Sequence, residues 1–183
     1  MLTQPAGGDN GRGAAYGRTV GHELPPGDAV VVEWASTGPG GSGSAADLLV
    51  RADGTAEAGP RLAGGRTARA HLGRGAVAGL VDEILDRHGF FGIDAGEIER
   101  ALAASRPRHD GGEGLRVPLG PPYLDAGESR IAVRADGRRH EVRVQGLFAA
   151  AREHPEIPAL TALREVERLL LRCADRVAAG DPR

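Results

Sequence analysis

The stretch from Val77 to Phe91 constrains the fold more than any other part of the sequence. Its apolar residues recur at steps of three and four, the period of an α-helix with one apolar face. Four charged residues fall on the other face, namely Asp82, Glu83, Asp86 and Arg87. Gly89 follows the last periodic turn, where a residue without Cβ readily adopts the left-handed conformation that ends a helix. The pattern predicts an amphipathic helix that ends before Gly89 and places Phe90 against Leu85.

The composition restricts what can pack against this helix and what the protein can bind. A chain of 183 residues suits one domain, and proteins near this size bury roughly 70% of their unfolded surface. Aromatic residues make up only 3%, so the core is expected to be aliphatic, without an aromatic platform for stacking single-stranded bases. The net charge of -2 argues against a strongly basic nucleic-acid-binding protein. We therefore expect no nucleic-acid partner.

The residue usage also indicates the source and the cellular compartment of the protein. All 23 basic residues are arginine and 29 residues are glycine, as is typical of the codon bias of a GC-rich bacterial genome. Cys173 is the one cysteine and cannot form an internal disulfide. The sequence starts without an apolar run of signal-peptide length, and no segment approaches the length of a membrane span. We expect a cytoplasmic protein without a membrane partner.

The distribution of glycine and proline predicts the organisation of the chain. Residues 1–28 are polar and Gly/Pro-rich with little to bury, which predicts a disordered N-terminal arm. Residues 29–179 form one predicted domain. Within it, residues 106–128 hold too many prolines and glycines for the interior of a helix or strand and are predicted to be a long loop. Loops of this length are uncommon unless they are functional or disordered.

Two hairpins are predicted from alternating apolar residues and Asp-Gly turns. After a first strand over 30–35, residues 47–52 and 55–59 flank Asp53 and Gly54, a dipeptide suited to tight turns. A further edge strand is expected within residues 66–72. The second hairpin, over 131–135 and 140–144, has the clearest alternation and turns at the second Asp-Gly pair. The same Asp-Gly dipeptide in both hairpins indicates either an internal duplication or coincidence.

The remaining segments read as helices and complete the predicted fold. Asp94 is placed to cap a helix over 95–104, residues 147–153 form one or two turns, and an apolar stripe runs from Pro158 to just before Gly180. Cys173 lies on this stripe, which predicts a buried, inert thiol. We therefore expect an α+β, two-layer domain: an antiparallel β-sheet of two hairpins with helices packed on one face. No polar cluster is expected to converge inside it.

The order of these elements resembles two groups of bacterial domains. A hairpin, a helix ending in Gly89, Phe90 and Phe91, a second hairpin and a terminal helix are similar to small bacterial domains of unknown function and to emfourin-type protease inhibitors. The resemblance covers about residues 47–177 and implies a non-enzymatic binding or inhibitory module. No inhibitory loop residue can be matched, and the helix at 95–104 departs from the compact pattern.

Motifs for cofactor, metal or catalytic chemistry are weak. Residues 38–43 fit the string G-x-G-x-x-G, but a strand follows them, whereas phosphate binding needs a helix N-terminus. The six histidines are far apart in sequence and form no metal-binding motif. No cofactor, metal site or catalytic residue is therefore predicted. The enzymatic alternative is a small hydrolase assembled from the dispersed groups Ser42, His109 and Asp110.

The outer face of the second hairpin is the most informative polar feature. With a two-residue turn, Arg134 lies opposite Arg139 and Arg130 opposite Arg143, and like charges directly across strands are destabilising. His140 then faces inward, where a hydrogen-bonded or rim histidine is expected rather than a general base. Solvent, a neighbouring acidic strand or a bulged turn would offset the repulsion.

The functional alternative is that an acidic partner protein offsets it. Our hypothesis is an interaction surface formed by these arginines together with Tyr123 of the long loop: Arg130, Arg134, Arg139, Arg143 and Tyr123. The preferred function is a non-enzymatic protein-binding or regulatory module, with inhibitor-like binding as one form of it. Neither the identity of the partner nor the oligomeric state follows from the sequence.

Overall fold

A six-stranded antiparallel sheet forms one layer of the protein. The structure is a computed structural model that describes residues 21–38, 45–105 and 127–180. The strands are β1 (Val30–Ser36), β2 (Leu48–Arg51), β3 (Thr55–Ala58), β4 (Ala68–His71), β5 (Glu128–Ala135) and β6 (Arg138–Gln145). Their order in the sheet is β4-β3-β2-β1-β5-β6. The two predicted hairpins are therefore joined through β1, which pairs with β2 on one side and β5 on the other.

Helices cover one face of this sheet. They are α1 (Arg74–Asp82), α2 (Ala95–Ala104), α3 (Leu147–Glu153) and α4 (Pro158–Ala179). Their apolar residues form a single core cluster with the inner-face residues of the sheet. The predicted α+β, two-layer fold is confirmed. None of the helices in the described residues combines the length and apolar character needed to cross a bilayer.

The helix predicted from Val77 onward ends before Gly89 as predicted, but its last turn is wider than an α-helical turn. After α1, a π-helical turn covers Glu83–Arg87, and Gly89 then adopts φ 60° in the left-handed region. Phe90 follows in a short 3₁₀ turn and is fully buried. His140 on β6 contacts the edge of the Phe90 ring, with centroids 5.4 Å apart, and its Nε2 hydrogen-bonds to the carbonyl oxygen of Ile93 at 2.8 Å. The predicted inward, hydrogen-bonded histidine is confirmed.

The turn between β5 and β6 fixes the register that places the arginines. Asp136 and Gly137 have φ angles of 52° and 68°, the positive values that a two-residue type I′ turn requires. Arg134 pairs with Arg139 and Arg130 with Arg143 across the ladder. The predicted register is confirmed.

Some sequence predictions fall partly or wholly outside the described residues. This applies to residues 1–20 of the predicted arm and to residues 106–126 of the predicted loop. The end of the arm, residues 21–28, is described and lies against the domain, where the Glu23 N–H donates to Asp136 Oδ1 at 2.8 Å. Cys173 is buried in α4 as predicted, and burial raises the pKa of its thiol.

Replacing Phe90 with alanine is expected to lower the free energy of unfolding by about 3–5 kcal/mol, because it empties a fully buried site. Phe148→Ala is the matched control. That side chain is 57% exposed, so its loss should cost less than about 1 kcal/mol. Urea denaturation of both variants measures the difference. Equal losses would contradict the central position of Phe90.

Candidate functional site

The uncovered face of the sheet carries the predicted arginines, which we call the arginine face: Arg130, Arg134, Arg139 and Arg143. Side chains point alternately to the two faces of a strand, and the arginines alternate with the buried residues Ile131, Val133, Val142 and Val144. Arg134, Arg139 and Arg143 are exposed and Arg130 is partly buried. None of the described helices packs on this side. Tyr123, the fifth member of the predicted surface, lies outside the described residues.

Two glutamates lie among these arginines. Glu33 on β1 pairs with Arg130, and Arg139 Nη2 is 3.7 Å from Glu33 and 2.7 Å from Glu141. Arg143 Nη2 is also 2.7 Å from Glu141. Burial alone would raise the pKa of Glu141, but the hydrogen bonds from Arg143 and Arg139 outweigh it and lower the pKa. The neighbouring strand β1 therefore supplies an acidic residue, Glu33, as one of the alternatives from the sequence expected. Glu33 offsets part of the repulsion between the arginines.

The neutralisation is incomplete at one end of the face. Four arginines stand against three glutamates, since Glu128 lies on the same face of β5 and its charge attracts Arg143, and this leaves an excess of one positive charge. Arg134 makes no ion pair with any residue in the described ranges, although it lies directly opposite Arg139. The remaining positive charge is therefore concentrated near Arg134 and the β5-β6 turn.

A second feature, on the helix side of the sheet, is a cleft of about 350 Å³ near the end of β1 and the start of β5. We call it the Trp34 cleft. The sheet contributes Trp34 and Ser129, and α3 contributes Phe148. From α4 come three residues that share a helix face because they are spaced by three and four: Arg164, Glu167 and Leu171.

Buried polar groups converge beside this cleft, so the expectation of an interior without a polar cluster is wrong. Glu167 is 7% exposed, and its two oxygens accept hydrogen bonds from Ser129 Oγ and Arg164 Nη1. Asp47 is 5% exposed and accepts two hydrogen bonds from Arg61, at 2.8 and 2.7 Å. The hydrogen bond to Asp47 raises the pKa of Arg61. The sequence signal for this cluster was Glu167 itself, a charged residue within the apolar stripe of α4.

One buried polar atom at the cleft lacks a partner. Trp34 is 3% exposed, as expected for a core residue. Its Nε1–H has no acceptor, and it is the one buried side-chain nitrogen or oxygen without a partner among the described residues. A buried donor without an acceptor costs about 1–3 kcal/mol. The N–H of Trp34 could therefore bind an acceptor supplied by a ligand.

The rim of the cleft is apolar. Phe148 is 57% exposed and Leu171 is 38% exposed, and both line the cleft. They are the exposed large hydrophobic side chains of the described residues. The Arg164 guanidinium lies over the Phe148 ring, 4.7 Å from its centroid. Apolar surface, a cation over an aromatic ring and an unpaired donor are thus brought together at one place.

A third cluster fastens the N-terminal segment to the domain. The ring of His22 lies between two carboxylates, with Nδ1 2.6 Å from Asp136 Oδ2 and Nε2 3.0 Å from Asp86 Oδ1. Its backbone N–H donates to Asp82 Oδ1 at 3.0 Å. The hydrogen bond to Asp136 is the main reason that the pKa of His22 is raised, with Asp86 adding to it and burial opposing it.

His22 could also contribute to a metal site, because one ligand atom from each of His22, Asp82 and Asp86 lies within 4.8 Å of the others. Spacing along the chain could not predict this group, since His22 belongs to the predicted arm. In the described geometry both ring nitrogens already contact carboxylates. The cluster therefore acts here as a clamp.

The His22 clamp should depend on pH. Because its folded-state pKa is raised above the ordinary value of about 6.5, the stability it contributes is present below pH 6.5 and lost as pH rises through the folded pKa. His22→Gln should therefore destabilise the protein more at pH 6 than at pH 8 in urea unfolding. The exposed His71→Gln serves as control. An equal effect of His22→Gln at both pH values would argue against the clamp.

Arg61→Ala should lower the free energy of unfolding by about 1–3 kcal/mol, because Asp47 would remain buried without its two charged hydrogen bonds. Arg66→Ala is a matched control on the same connection, since Arg66 is exposed. Thermal and urea unfolding compare the two variants. If Arg61→Ala proved no more costly than Arg66→Ala, the Arg61–Asp47 pair would not stabilise this side of the cleft.

Comparisons with known proteins do not add to this geometry. No protein-family model, no curated protein and no solved structure gives a match to the chain. The resemblance to emfourin-type inhibitors therefore stays a prediction. The arginine face and the Trp34 cleft are therefore the features that bear on function.

Proposed function

We propose that the chain is a non-enzymatic protein-binding module whose arginine face holds an acidic partner. The observation that carries the proposal is the pair formed by Arg134 and Arg139, directly opposite each other on the uncovered sheet face. Arg139 shares Glu33 with Arg130 and Glu141 with Arg143. Arg134 has no ion pair among the described residues. A carboxylate from a partner would relieve the repulsion that the isolated domain retains.

The geometry of the arginines suits carboxylates of a protein. A guanidinium presents planar pairs of N–H donors that match a carboxylate. The side chains of Arg139 and Arg143 are 44% and 57% exposed, so donors that Glu141 does not use are accessible. Glu33 and Glu141 would repel the continuous phosphate backbone of a nucleic acid. This mixture of charges favours a protein partner whose acidic groups are separated.

The polar groups of the Trp34 cleft are not arranged as a catalytic relay. Ser129 donates to Glu167, and Arg164 holds that same carboxylate, whereas an activated serine needs a base free to take its proton. The described histidines are not among the residues lining the cleft. The groups of the hydrolase alternative, Ser42, His109 and Asp110, lie outside the described residues.

Inhibition of an enzyme is one form that such binding could take. It is the form that the resemblance to emfourin-type inhibitors implies. An inhibitor of this kind would have to present the arginine face to acidic groups around the active site of its target enzyme.

Titration with a synthetic twelve-residue peptide of alternating glutamate and glycine, followed by backbone NMR, tests the proposal. We expect saturable shift changes confined to β5 and β6. The double variant Arg134→Glu/Arg139→Glu should weaken binding at least tenfold. Arg134→Gln breaks no ion pair of the described structure and should weaken binding severalfold without affecting the fold.

The control variant is Arg168→Glu/Arg172→Glu on α4, which makes the same change in net charge at two exposed positions away from the sheet. It should bind the peptide as the parent protein does. Equal weakening by the control would show a net-charge effect and contradict a site on the arginine face. Tighter binding of single-stranded RNA than of the acidic peptide would replace the protein partner with a nucleic acid.

A further inference from the structure

We infer that the Trp34 cleft is a second binding site, which takes a hydrophobic residue within an uncharged peptide segment of a partner protein. This inference is independent of the arginine face, because the two surfaces lie on opposite sides of the sheet. Trp34 points to the helix side, where it packs in the core, whereas Glu33, the next residue on β1, pairs with Arg130 on the uncovered side.

The indole N–H of Trp34 is unpaired. Other polar groups of the cleft have partners within the domain: Ser129 and Arg164 bind Glu167, and Arg61 binds Asp47. Trp34 Nε1 is buried and has no acceptor among the described residues. A buried donor without a partner favours an acceptor such as a carbonyl oxygen.

The rim of the cleft carries two exposed apolar side chains. Phe148 on α3 and Leu171 on α4 come from different helices, yet both line this one cleft while remaining exposed to solvent. An apolar group seated between them would remove both from water. Aromatic residues and arginine are enriched in protein interfaces, and Arg164 over the Phe148 ring supplies such a pair.

The charged side chains of the cleft are balanced. The cleft is lined by two arginines and two glutamates, namely Arg61, Arg164, Glu128 and Glu167. Both arginines are already engaged, with Asp47 and Glu167. The charges of the two arginines are already balanced by Asp47 and Glu167, so an anionic ligand would meet the repulsion of the glutamates with little net attraction, and a cationic ligand would compete with arginines already in place. The lining therefore favours an uncharged ligand.

These three properties describe a residue in the middle of a peptide. Its side chain supplies the apolar group, its backbone carbonyl supplies the acceptor, and its amide linkages remove the charges of a free amino acid. The volume of about 350 Å³ is at the lower end of the range of roughly 300–1,000 Å³ for ligand pockets. It suits one large side chain with the adjoining backbone.

The protein contains one tryptophan, so the indole N–H gives a single NMR signal that reports on the cleft. We expect acetyl-Ala-Leu-Ala-amide to shift this signal saturably and to bind at least tenfold more tightly than acetyl-Ala-Ser-Ala-amide. Phe148→Ser removes exposed rim surface together with the ring beneath the Arg164 guanidinium, and should weaken binding of the leucine peptide at least tenfold. Arg168→Ser, at an exposed position on α4, should leave binding unchanged.

Several results would overturn the inference. They are the lack of a saturable shift, equal binding of the serine peptide, and unchanged affinity in Phe148→Ser. Binding of N-acetyl-leucinamide as tightly as the tripeptide would identify a small amide as the occupant, and tighter binding of N-acetyl-leucine would identify an acid.

Two further variants separate this site from its alternatives. Trp34→Phe removes the donor but keeps an aromatic ring, and calorimetry should show weaker binding of the leucine peptide; an unchanged affinity would contradict the role of the N–H. Arg134→Glu/Arg139→Glu should bind the leucine peptide normally, even if it loses the acidic peptide. Loss of both peptides would contradict the independence of the two sites.

Discussion

The pairing of β1 with both β2 and β5 holds the structure together. Val32 lies opposite Val50 on one side and Val133 on the other, and Trp34 lies opposite Leu48 and Ile131. Without β1, the sheet would divide into a three-stranded unit, β4-β3-β2, and the two-stranded hairpin β5-β6. An isolated two-stranded hairpin is marginally stable on its own. The pairing of β1 with β5 joins residues nearly a hundred positions apart, so its conformational cost must be offset by the apolar surface buried on the inner face.

The same strand also positions both candidate sites. Because successive side chains point to opposite faces, Glu33 is placed among the arginines while Trp34 enters the core beside the cleft. The burial of Trp34 gives the core its one indole ring, but it leaves the N–H without an acceptor among the described residues. The two surfaces thus differ in chemistry, since one carries excess positive charge and the other combines an apolar rim with paired charges, and both depend on the register of β1.

Local patterns were enough to predict most of the fold. The helix ending at Gly89, the Asp94 cap and the two-residue turn at Asp136 are fixed by neighbouring residues, so their positions could be predicted from the sequence. The turn also fixed the cross-strand arginine pairs, because the register of a hairpin follows from the length of its turn. The alternation of residues along each strand then predicted which face was buried.

The candidate sites could be predicted only in part. The contacts of Glu33 with Arg130 and of Ser129 with Glu167 join distant segments, and no local pattern specifies them. The same holds for His22, whose carboxylate partners lie more than sixty residues away. The sequence predicted that Trp34 is buried but gave no sign that its N–H lacks an acceptor, since this depends on every group packed around it.

The most direct test of this account is the register of β1 against β5, measured by cross-strand nuclear Overhauser effects between backbone protons. The account predicts contacts that place Val32 opposite Val133 and Trp34 opposite Ile131. A register shifted by one residue would turn Trp34 toward the arginine face and Glu33 toward the core. That result, or the absence of any contacts between the two strands, would contradict both proposed sites.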